Sequence, residues 1–489
     1  RHHLPEAREW LDTAAKLFAS QLTSAKPCED SWGHQWTASM HNTLNYAMAA
    51  GQHDYFTSEA FRQSADRALL AHGTDGPRVY LANCAVVTGD SSYLSLERDG
   101  ASFVRSAARM RLSKSLDSPD PASYEEVLRS FVTTSVINRR ESMLGLALAP
   151  IDPLWYRTIE TPVYNPDGIF KITTKEEEGF DKLAQREGWG AKDFYLLLDG
   201  ISGGLHSFQD ANCLVWLREG GVDWFRTVAS YERAQGVRAQ NGVNVVLNGR
   251  GLDLIQRYAR LLYREVQGDF SAVGTIMDGI GETTWERHVL RRRGRWTLVL
   301  DRVKALAPGE LLAERFWYPK GERTLAASGF TSSQRMGDAK VFLHMASTVN
   351  PDGRSRTTGG LSERVRMEVA TGDDVTLGGL LWTNEGTEEP FTLRATGEGF
   401  IVSETSGTAT KILLQQCEGI GCGMKVRCGD WHGMLGRAGN PVGISTAREL
   451  PLAPKLTELK SEFRDIALPG KKITSVASRW SGFVVGTSD

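Results

Sequence analysis

The chain has 489 residues, of which 41% are apolar and 24% are charged, a composition typical of a globular protein with two or three domains. Its formal net charge is −2. No overall field therefore attracts nucleic acid or an anionic membrane, and an anionic ligand requires a local basic patch. The sequence also lacks an uninterrupted apolar run of about 18 residues, so we expect no membrane span.

Helical periodicity dominates the first 150 residues. Apolar residues recur three and four positions apart, as in Trp10, Ala14 and Leu17, which is typical of an amphipathic helix. The predicted helices cover residues 4–22, 40–50, 58–70, 93–110, 124–139 and 142–149. Tandem helices with short links favour an array of αα-hairpins, such as part of an (α/α) toroid.

After about residue 161 the pattern changes to short apolar runs that alternate with polar residues and are separated by glycine. The predicted strands cover residues 168–172, 194–198, 213–217, 222–225, 243–247, 261–267, 272–277, 283–290, 296–305, 312–318, 339–345, 364–368, 377–382, 391–395, 400–404 and 410–416. So many strands at this spacing favour a large antiparallel β-sandwich.

The predicted fold class is therefore an α+β multidomain protein, with a partial (α/α) toroid followed by a large antiparallel β-sandwich. We place the toroid helices at residues 1–155 and the sandwich at 156–417. The glycine-rich tail, residues 418–489, is either the end of the sandwich or a small C-terminal β domain.

The stretch from Tyr195 to Gly251 contains the most informative pattern. A glycine pair, Gly203-Gly204, is followed by His206, and three apolar runs separated by turn signals then predict an antiparallel meander. Paired glycines let the backbone approach a ligand closely. The pKa of a histidine suits proton transfer near neutral pH, although a surface histidine in a turn is the alternative interpretation.

Other clusters have competing interpretations. The arginine-rich run at residues 286–295 either contacts an anionic polymer or forms an exposed hairpin turn through Arg293-Gly294. The three cysteines of residues 417–428 lack the spacing of a zinc knuckle, which favours core thiols or one disulfide over a metal. Most of the 13 tryptophans are expected in the core.

Several linked segments resemble the heparinase II/III family of polysaccharide lyases over residues 1–325. The segments are FDKLAQREGW at 180–189, YLLLDG, GGLHSFQDAN, SYER and RAQNGVNVVLNGRG in that order, then WERHVLRRRGRWTLVLDRV at 285–303, and EDSWGHQWTASMHN at 29–42. The resemblance implies an incomplete (α/α) toroid packed on an antiparallel β-sandwich, with the active cleft between them. It also implies β-elimination at a 4-linked uronic acid.

An enzyme that catalyses this reaction must neutralise a carboxylate, remove the C5 proton and protonate the leaving oxygen. By resemblance, His206 falls on the family's cleft histidine and is expected to act as base or neutraliser. Asp210 and Asn212 then orient the site or simply fix the strand entrance. Tyr231 of the SYER segment resembles a tyrosine that follows the third strand in the family and is expected to act as the acid, with a packed sandwich tyrosine as the alternative.

The sequence departs from the family at its structural zinc site. Phe208, Arg226-Thr227 and Gln240-Asn241 stand where zinc-containing relatives have ligands. Losing all three together implies that this chain binds no such zinc, and we expect no cofactor.

The helical segment also departs from the family pattern. Counted without a gap from Asp30, the family's glutamate falls on Gln35 and its cleft tyrosine on Met40, whereas the histidine is kept as His41. His34, Gln35 or His41 then supplies the missing acid or base, or Tyr231 acts alone. The predicted substrate-binding residues are Trp32, Gln35, Arg157, Arg186, Asp210 and Asn212, with Arg157 or Arg186 as the carboxylate partner.

The sequence therefore predicts a polysaccharide lyase acting on an acidic glycan. The alternatives are a non-catalytic glycan-binding or assembly protein on the same fold, and a uronyl C5-epimerase. The expected partner is an acidic polysaccharide or oligosaccharide rather than nucleic acid or membrane. No signal-peptide pattern is present, and a secreted or periplasmic location is implied by the resemblance alone.

Overall fold

The structure, a computed structural model, describes the first 142 residues only in pieces and most of the residues from 143 to 436. The described residues are 7–22, 24, 26, 43, 46–47, 55, 58–71, 143–158, 161, 168, 170–190, 192–202, 210–226, 240–251, 255–326, 328–357, 360–386, 390–414, 423–436, 472–479 and 482–488. The described part is mostly antiparallel β-sheet.

Three helices have described bounds, namely α1 (Ala7–Gln21), α2 (Glu59–Leu70) and α3 (Pro153–Thr158). The helices predicted at 4–22 and 58–70 are confirmed. Helix α2 begins at an N-cap, Ser58, whose hydroxyl accepts a 3.1 Å hydrogen bond from Phe61 N. The helices predicted at 93–110 and 124–139, and most of the one at 40–50, lie outside the described residues.

The helix predicted at residues 142–149 is wrong. Gly145–Pro150 is a strand, β1, that pairs antiparallel with strand β3 (Phe180–Arg186). Alanine and leucine favour helix in isolation, but here they alternate. Ala147 and Ala149 pack in the cluster shared with the helices, whereas Leu146 and Leu148 pack against the sandwich core, so tertiary packing outweighs the helix propensity.

The strands form four main sheets. The helix-facing sheet has the order β1-β3-β4-β5-β6, with β4 (Tyr195–Asp199), β5 (Leu214–Glu219) and β6 (Val222–Arg226). The central sheet runs through β14 (Glu322–Ala326), β15 (Gly329–Met336), β16 (Ala339–Ser347), β19 (Asp374–Asn384), β12 (Trp296–Ala305), β11 (Thr283–Arg292), β10 (Phe270–Met277) and β9 (Arg260–Gln267).

The other sheets are smaller. The partner sheet has the order β17 (Arg354–Thr357), β18 (Gly360–Val369), β13 (Gly309–Trp317) and β7 (Val243–Leu247), and a 3-10 turn, Pro351–Gly353, precedes β17. The outer sheet comprises β20 (Phe391–Thr396), β21 (Gly399–Glu404), β22 (Ala409–Leu414), β23 (Met424–Cys428) and β24 (Trp431–Leu435). Two pairs complete the set, the parallel β2 (Phe170–Lys171) with β8 (Ile255–Gln256), and the antiparallel β25 (Lys472–Arg479) with β26 (Gly482–Ser488).

The predicted meander is only partly present. Strands β4, β5 and β6 are antiparallel neighbours, as predicted. Strand β7, however, pairs with β13 in the partner sheet rather than with β6. Residues 227–242 separate β6 from β7 in sequence, which is more than a tight hairpin uses, and a longer connection allows the next strand to join another sheet.

Three hydrophobic clusters arrange the sheets in layers. The largest lies between the central sheet and the helix-facing and partner sheets, and includes Leu198 and Val299. A second lies between the helices and the other face of the helix-facing sheet, and includes Phe61 and Trp216. A third joins the central sheet to the outer sheet, and includes Trp382. The β part therefore has three layers, with the central sheet covered on both faces. The division at residues 155 and 417 stays a prediction.

The arginine-rich run forms the hairpin predicted for it. Strands β11 and β12 pair antiparallel around a turn at Arg293-Gly294, where Gly294 has φ 63°. Arg287 is fully buried against Asp301, with Nε 2.7 Å from Oδ1. Arg291 bonds Glu187 and Glu219. Most of these arginines thus serve internal ion pairs.

The described cysteines and most of the described tryptophans are core residues, whereas Trp10 is exposed. Cys213 and Cys428 are buried thiols, and Cys417 and Cys422 lie outside the described residues. Six tryptophans are almost completely buried, namely Trp216, Trp224, Trp285, Trp296, Trp317 and Trp382. In the parts of the chain that the structure describes, no helix is both long and apolar enough to cross a bilayer.

Candidate functional site

The candidate site is the neighbourhood of the segment that carries His206. Residues 203–209 lie outside the described residues, but both of their flanks are described. Strand β4 ends at Asp199 and leads to Ser202, and Asp210 opens the return towards β5. All three of these side chains are buried.

Hydrogen bonds join the two flanks to each other. Asn212 N donates to Asp199 O at 2.7 Å, and Asp199 N donates to Cys213 O at 3.0 Å. Ala211 N donates to the Ser202 hydroxyl at 3.1 Å. Two chain ends that bond in this way keep a fixed separation, so the base of the segment is a rigid part of the sheet.

A cluster of buried charges lies directly beside this base. We call Lys26, Arg67, Asp181, Lys182 and Asp199 the buried ion cluster. Asp181 binds three cations, with Arg67 Nη1 and Lys182 Nζ each at 2.8 Å and Lys26 Nζ at 3.2 Å. Lys182 Nζ also lies 2.8 Å from Asp199 Oδ1. Since α2 supplies Arg67, the cluster joins the helices to the helix-facing sheet.

The pKa values of the two carboxylates of the cluster are shifted in opposite directions. Burial alone would raise the pKa of Asp181, but Lys182, Lys26 and Arg67 outweigh it and hold that pKa well below its usual range. Burial likewise raises the pKa of Asp199, and because Lys182 offsets this only in part, the pKa stays above its usual value. The aspartate next to the His206 segment therefore keeps its proton to higher pH than a free carboxyl group.

Asp199 also has one unused oxygen. Its Oδ1 accepts hydrogen bonds from Lys182 Nζ and, at 3.1 Å, from Ile201 N. Its Oδ2 is buried and has no hydrogen-bond partner in the described part of the chain. An unpaired buried carboxyl oxygen costs free energy, so this atom is suited to orienting a donor in the adjoining segment.

A second set of hydrogen bonds joins the α3 region to Lys26 of the buried ion cluster. Asp152 Oδ2 accepts hydrogen bonds from Ser24 Oγ and Lys26 N, each at 3.1 Å. The indole of Trp155 donates to Lys26 O at 2.6 Å. The exposed Arg157 follows on α3, and its Nε bonds Pro153 O at 3.0 Å, so its guanidinium lies on the solvent side of this junction.

Arg186 has a different environment. It is buried at the end of β3, with its guanidinium carbon 3.9 Å from the centre of the Trp189 ring and 4.1 Å from that of Tyr195. Burial lowers its pKa to about 10, which leaves it cationic at neutral pH. Stacking on two aromatic faces favours the planar guanidinium.

The two residues predicted to orient the site face inward. Asn212 has φ 64°, its Oδ1 accepts a 2.5 Å hydrogen bond from Thr275 Oγ1, and its carbonyl accepts one from Arg287 at 2.8 Å. Asp210 is buried and its carbonyl accepts from Cys213 N at 3.0 Å. These bonds fix the entrance to β5, which is the simpler of the two roles predicted from the sequence.

Three of the residues that stand at the expected zinc-ligand positions are also described. Asn241 links three strands, because its Nδ2 donates to Leu214 O at 2.8 Å and its Oδ1 accepts from Tyr318 N at 2.7 Å. Gln240 is fully buried, and within the described residues its amide has no hydrogen-bond partner. Arg226 ends β6.

The remaining predicted site residues lie outside the described residues. They are His206, Tyr231, His34, Gln35, His41 and Trp32. Sequence reasoning in turn missed the buried ion cluster. The available signal was the charged pair Asp181-Lys182 inside an otherwise apolar run, since charges on both faces of a covered strand require partners.

Comparisons with known proteins give a likeness in structure only. No protein-family model matches the sequence, and no curated protein matches it. A solved heparinase III is similar, with TM-score 0.39 and 12% identity over 82% of this chain and 73% of that one. A heparan sulfate lyase, HepC from Pedobacter heparinus, has TM-score 0.38 and 11% identity over 78% and 69% of the two chains. The solved structures that this chain is similar to thus include heparinase III and heparan sulfate lyase.

Proposed function

We propose that this protein is a polysaccharide lyase that cleaves an acidic, uronic-acid-containing glycan by β-elimination. The observation that carries the proposal is the joining of the two described flanks of the segment that contains His206. Its two ends are bonded together at Asp199 and Asn212, beside a buried ion cluster at the junction of helices and sheet. A proton-transfer group on a rigid base at such a junction suits catalysis.

The proposed reaction has two linked parts. A base takes the C5 proton of the uronic acid, and the electron pair of that C–H bond forms the C4–C5 double bond. The C4–O bond breaks, and the leaving oxygen takes a proton from an acid. Neutralising the carboxylate stabilises the charge that develops at C5. We assign the role of base or neutraliser to His206, and the role of acid to Tyr231, His34 or His41.

Arg157 or Arg186 would bind the substrate carboxylate, and Trp32 and Gln35 would contact the sugar. Arg157 is exposed whereas Arg186 is buried between two rings, so Arg157 is the better placed of the two. Asp210 and Asn212 would act indirectly, by positioning the segment that contains His206. The proposed chemistry uses no metal or cofactor.

The proposal extends to the architecture. Helices α1 and α2 would belong to a partial (α/α) toroid in residues 1–155, with the glycan bound between it and the sandwich of residues 156–417. Phe18 and Phe61 pack with Trp216 of the helix-facing sheet, which supports a helix layer against that sheet. Because glycan polymers occur outside the cytoplasm, we propose a secreted or periplasmic location.

The direct test is absorbance of the unsaturated uronyl end that elimination creates. The purified chain is incubated with alginate, heparan sulfate, chondroitin sulfate and hyaluronan, with and without EDTA. We expect absorbance to rise with one class of substrate, and EDTA to leave the rate unchanged. His206→Ala should abolish the rise, while near-ultraviolet circular dichroism from the buried tryptophans shows that the fold is kept.

Two results would contradict the proposal. Full activity of His206→Ala would remove this residue from the mechanism. Incorporation of solvent deuterium at C5 without chain cleavage would replace the lyase with an epimerase, since both reactions begin by removing the same proton.

A further inference from the structure

The outer sheet presents two faces of different chemistry. On its inner face, Val402, Ile412 and Val426 pack with Leu298 and Trp382 of the central sheet. Side chains alternate along a strand, so the intervening residues point away from the central sheet. The outward positions are Thr392, Arg394, Thr396, Ile401, Ser403, Ala409, Lys411, Leu413, Lys425, Arg427, His432 and Met434.

Strand register places the cations of this face side by side. One row crosses all five strands, from Arg394 through Ile401, Lys411 and Arg427 to His432. Lys425 lies in the next row along β23, opposite Leu413. We call Arg394, Lys411, Lys425, Arg427 and His432 the basic face, and all five side chains are exposed.

The basic face lacks compensating carboxylates. None of its outward strand positions is Asp or Glu, and in the described part of the chain Arg394, Lys411, Lys425 and Arg427 form no ion pair. The nearest acids in sequence, Glu398 and Asp430, lie in turns. Two exposed cations on other strands do have carboxylate partners, since Lys340 pairs with Glu322 and Arg366 pairs with Glu310.

This arrangement is unfavourable without a partner. Lys411 is directly opposite Arg427, and like charges at opposed positions destabilise a sheet. The whole chain has a net charge of −2, so this concentration of positive charge is local. An anionic ligand laid across the strands would offset the repulsion.

The dimensions suit an extended polymer. Neighbouring strands are about 4.8 Å apart, so the row from Arg394 to His432 spans about 19 Å. The outward positions include no Phe, Tyr or Trp, whereas surfaces for single-stranded nucleic acid use aromatic stacking. A flat sheet face also does not enter a DNA groove. These features favour a polyanion without bases.

We propose that the basic face binds an acidic polysaccharide at a site separate from the cleft, and retains the polymer near it. The choice of polysaccharide rests on the proposed lyase function, whereas the anionic character rests on the basic face itself. Because its contacts are exposed ion pairs, binding is weak per charge and sensitive to salt.

The test compares two double charge reversals of equal net effect. Lys411→Glu with Arg427→Glu alters the basic face, and Lys340→Glu with Arg366→Glu alters exposed cations elsewhere. Binding to immobilised heparan sulfate, alginate and chondroitin sulfate is measured by surface plasmon resonance at low and physiological salt. We expect about tenfold weaker binding for the first variant and less than about twofold change for the second.

Two further readouts separate this proposal from the lyase function. The basic-face variant should keep its rate of unsaturated product formation on a short oligosaccharide and lose rate only on the polymer. If no unsaturated product forms with any substrate, the comparison of polymer binding by the two double variants still shows whether the basic face binds the polymer. Lys411→Glu alone should raise the melting temperature, because it creates an opposite-charge pair with Arg427.

Two outcomes would overturn the proposal. Equal polymer binding by the two double variants would show that the basic face takes no part. Tighter binding of the parent chain to duplex DNA or to phosphatidylserine vesicles than to any acidic polysaccharide, lost in the basic-face variant, would assign the face to a different partner.

Discussion

Lys182 and Asp199 lie directly opposite each other on β3 and β4, and Lys182 Nζ donates a 2.8 Å hydrogen bond to Asp199 Oδ1. Lys182 is the only cation of the buried ion cluster that contacts both carboxylates. Both side chains are buried, so the pair couples the end of β4 to the helix junction through Asp181.

Removing Lys182 is expected to be costly. Lys182→Met leaves Asp199 without its cation in a buried site, and we expect the free energy of unfolding to fall by about 3–5 kcal/mol. Chemical denaturation gives this value. Lys340→Met, at an exposed lysine paired with Glu322, is the control and should change stability by less than about 0.5 kcal/mol. Adding Asp199→Leu to Lys182→Met should recover part of the loss, and no recovery would argue against the pairing.

The pH dependence of stability should separate the two aspartates. The pKa of Asp181 is depressed in the folded state, so below its unfolded value of about 3.9 the unfolded state gains protons first and stability falls. The pKa of Asp199 is raised, so its contribution is present at low pH and is lost as pH rises through that raised value. Asp181→Asn should therefore flatten the acid limb below about pH 4.

Asp199→Asn should have the opposite effect, a steeper gain in stability above about pH 4. Urea denaturation between pH 3 and pH 7 measures both slopes. Parallel profiles for the two variants would contradict the assigned pKa directions.

Asn212 should tolerate glycine better than alanine. Its φ of 64° suits glycine, whereas alanine is strained there. Both variants lose the hydrogen bond from Thr275. We expect Asn212→Ala to cost about 2–4 kcal/mol and Asn212→Gly about 1–2 kcal/mol. Guanidinium denaturation checks the order, and an alanine variant at least as stable as the glycine variant would refute it.

Arg157 and Arg186 should respond differently to substitution. Arg157→Ala removes an exposed side chain, so we expect KM for the acidic glycan to rise about tenfold, as for one lost charge-assisted hydrogen bond, at unchanged melting temperature. Arg186→Met removes a guanidinium stacked on Trp189 and Tyr195, and should lower the free energy of unfolding by about 1–3 kcal/mol. An Arg157→Ala variant with unchanged KM would exclude it as the carboxylate partner.

Many strands of the sandwich were predictable because they are short apolar runs, which alternate in polarity where one face of the strand is less covered. The bounds of Val243–Leu247 and Trp296–Ala305 match the predictions. Alternation does not reveal which strands become neighbours, and for that reason β7 was misplaced. Strand β14 was missed, since an edge strand with exposed side chains needs no apolar pattern.

The buried ion cluster shows a different limit of sequence reasoning. Asp181 and Lys182 are adjacent in β3, and their partners Lys26, Arg67 and Asp199 are distant in sequence. The charged pair in β3 signals that partners are needed, but which residues supply them depends on the tertiary fold and cannot be read from the local sequence. The prediction of a helix at residues 142–149 was wrong for a related reason. The alanines and leucines of β1 alternate because they pack against two different layers, and those layers are known only from the tertiary fold.

The hydrogen bonds that join the two flanks of residues 203–209 have a consequence for the evolution of such a protein. The bonds between Asp199, Asn212 and Cys213 use backbone atoms, and Ser202 contributes only its hydroxyl. None of these anchoring atoms belongs to residues 203–209, so a substitution within that segment removes none of the bonds. We therefore expect the seven positions to vary in evolution more freely than the anchors that hold their two ends.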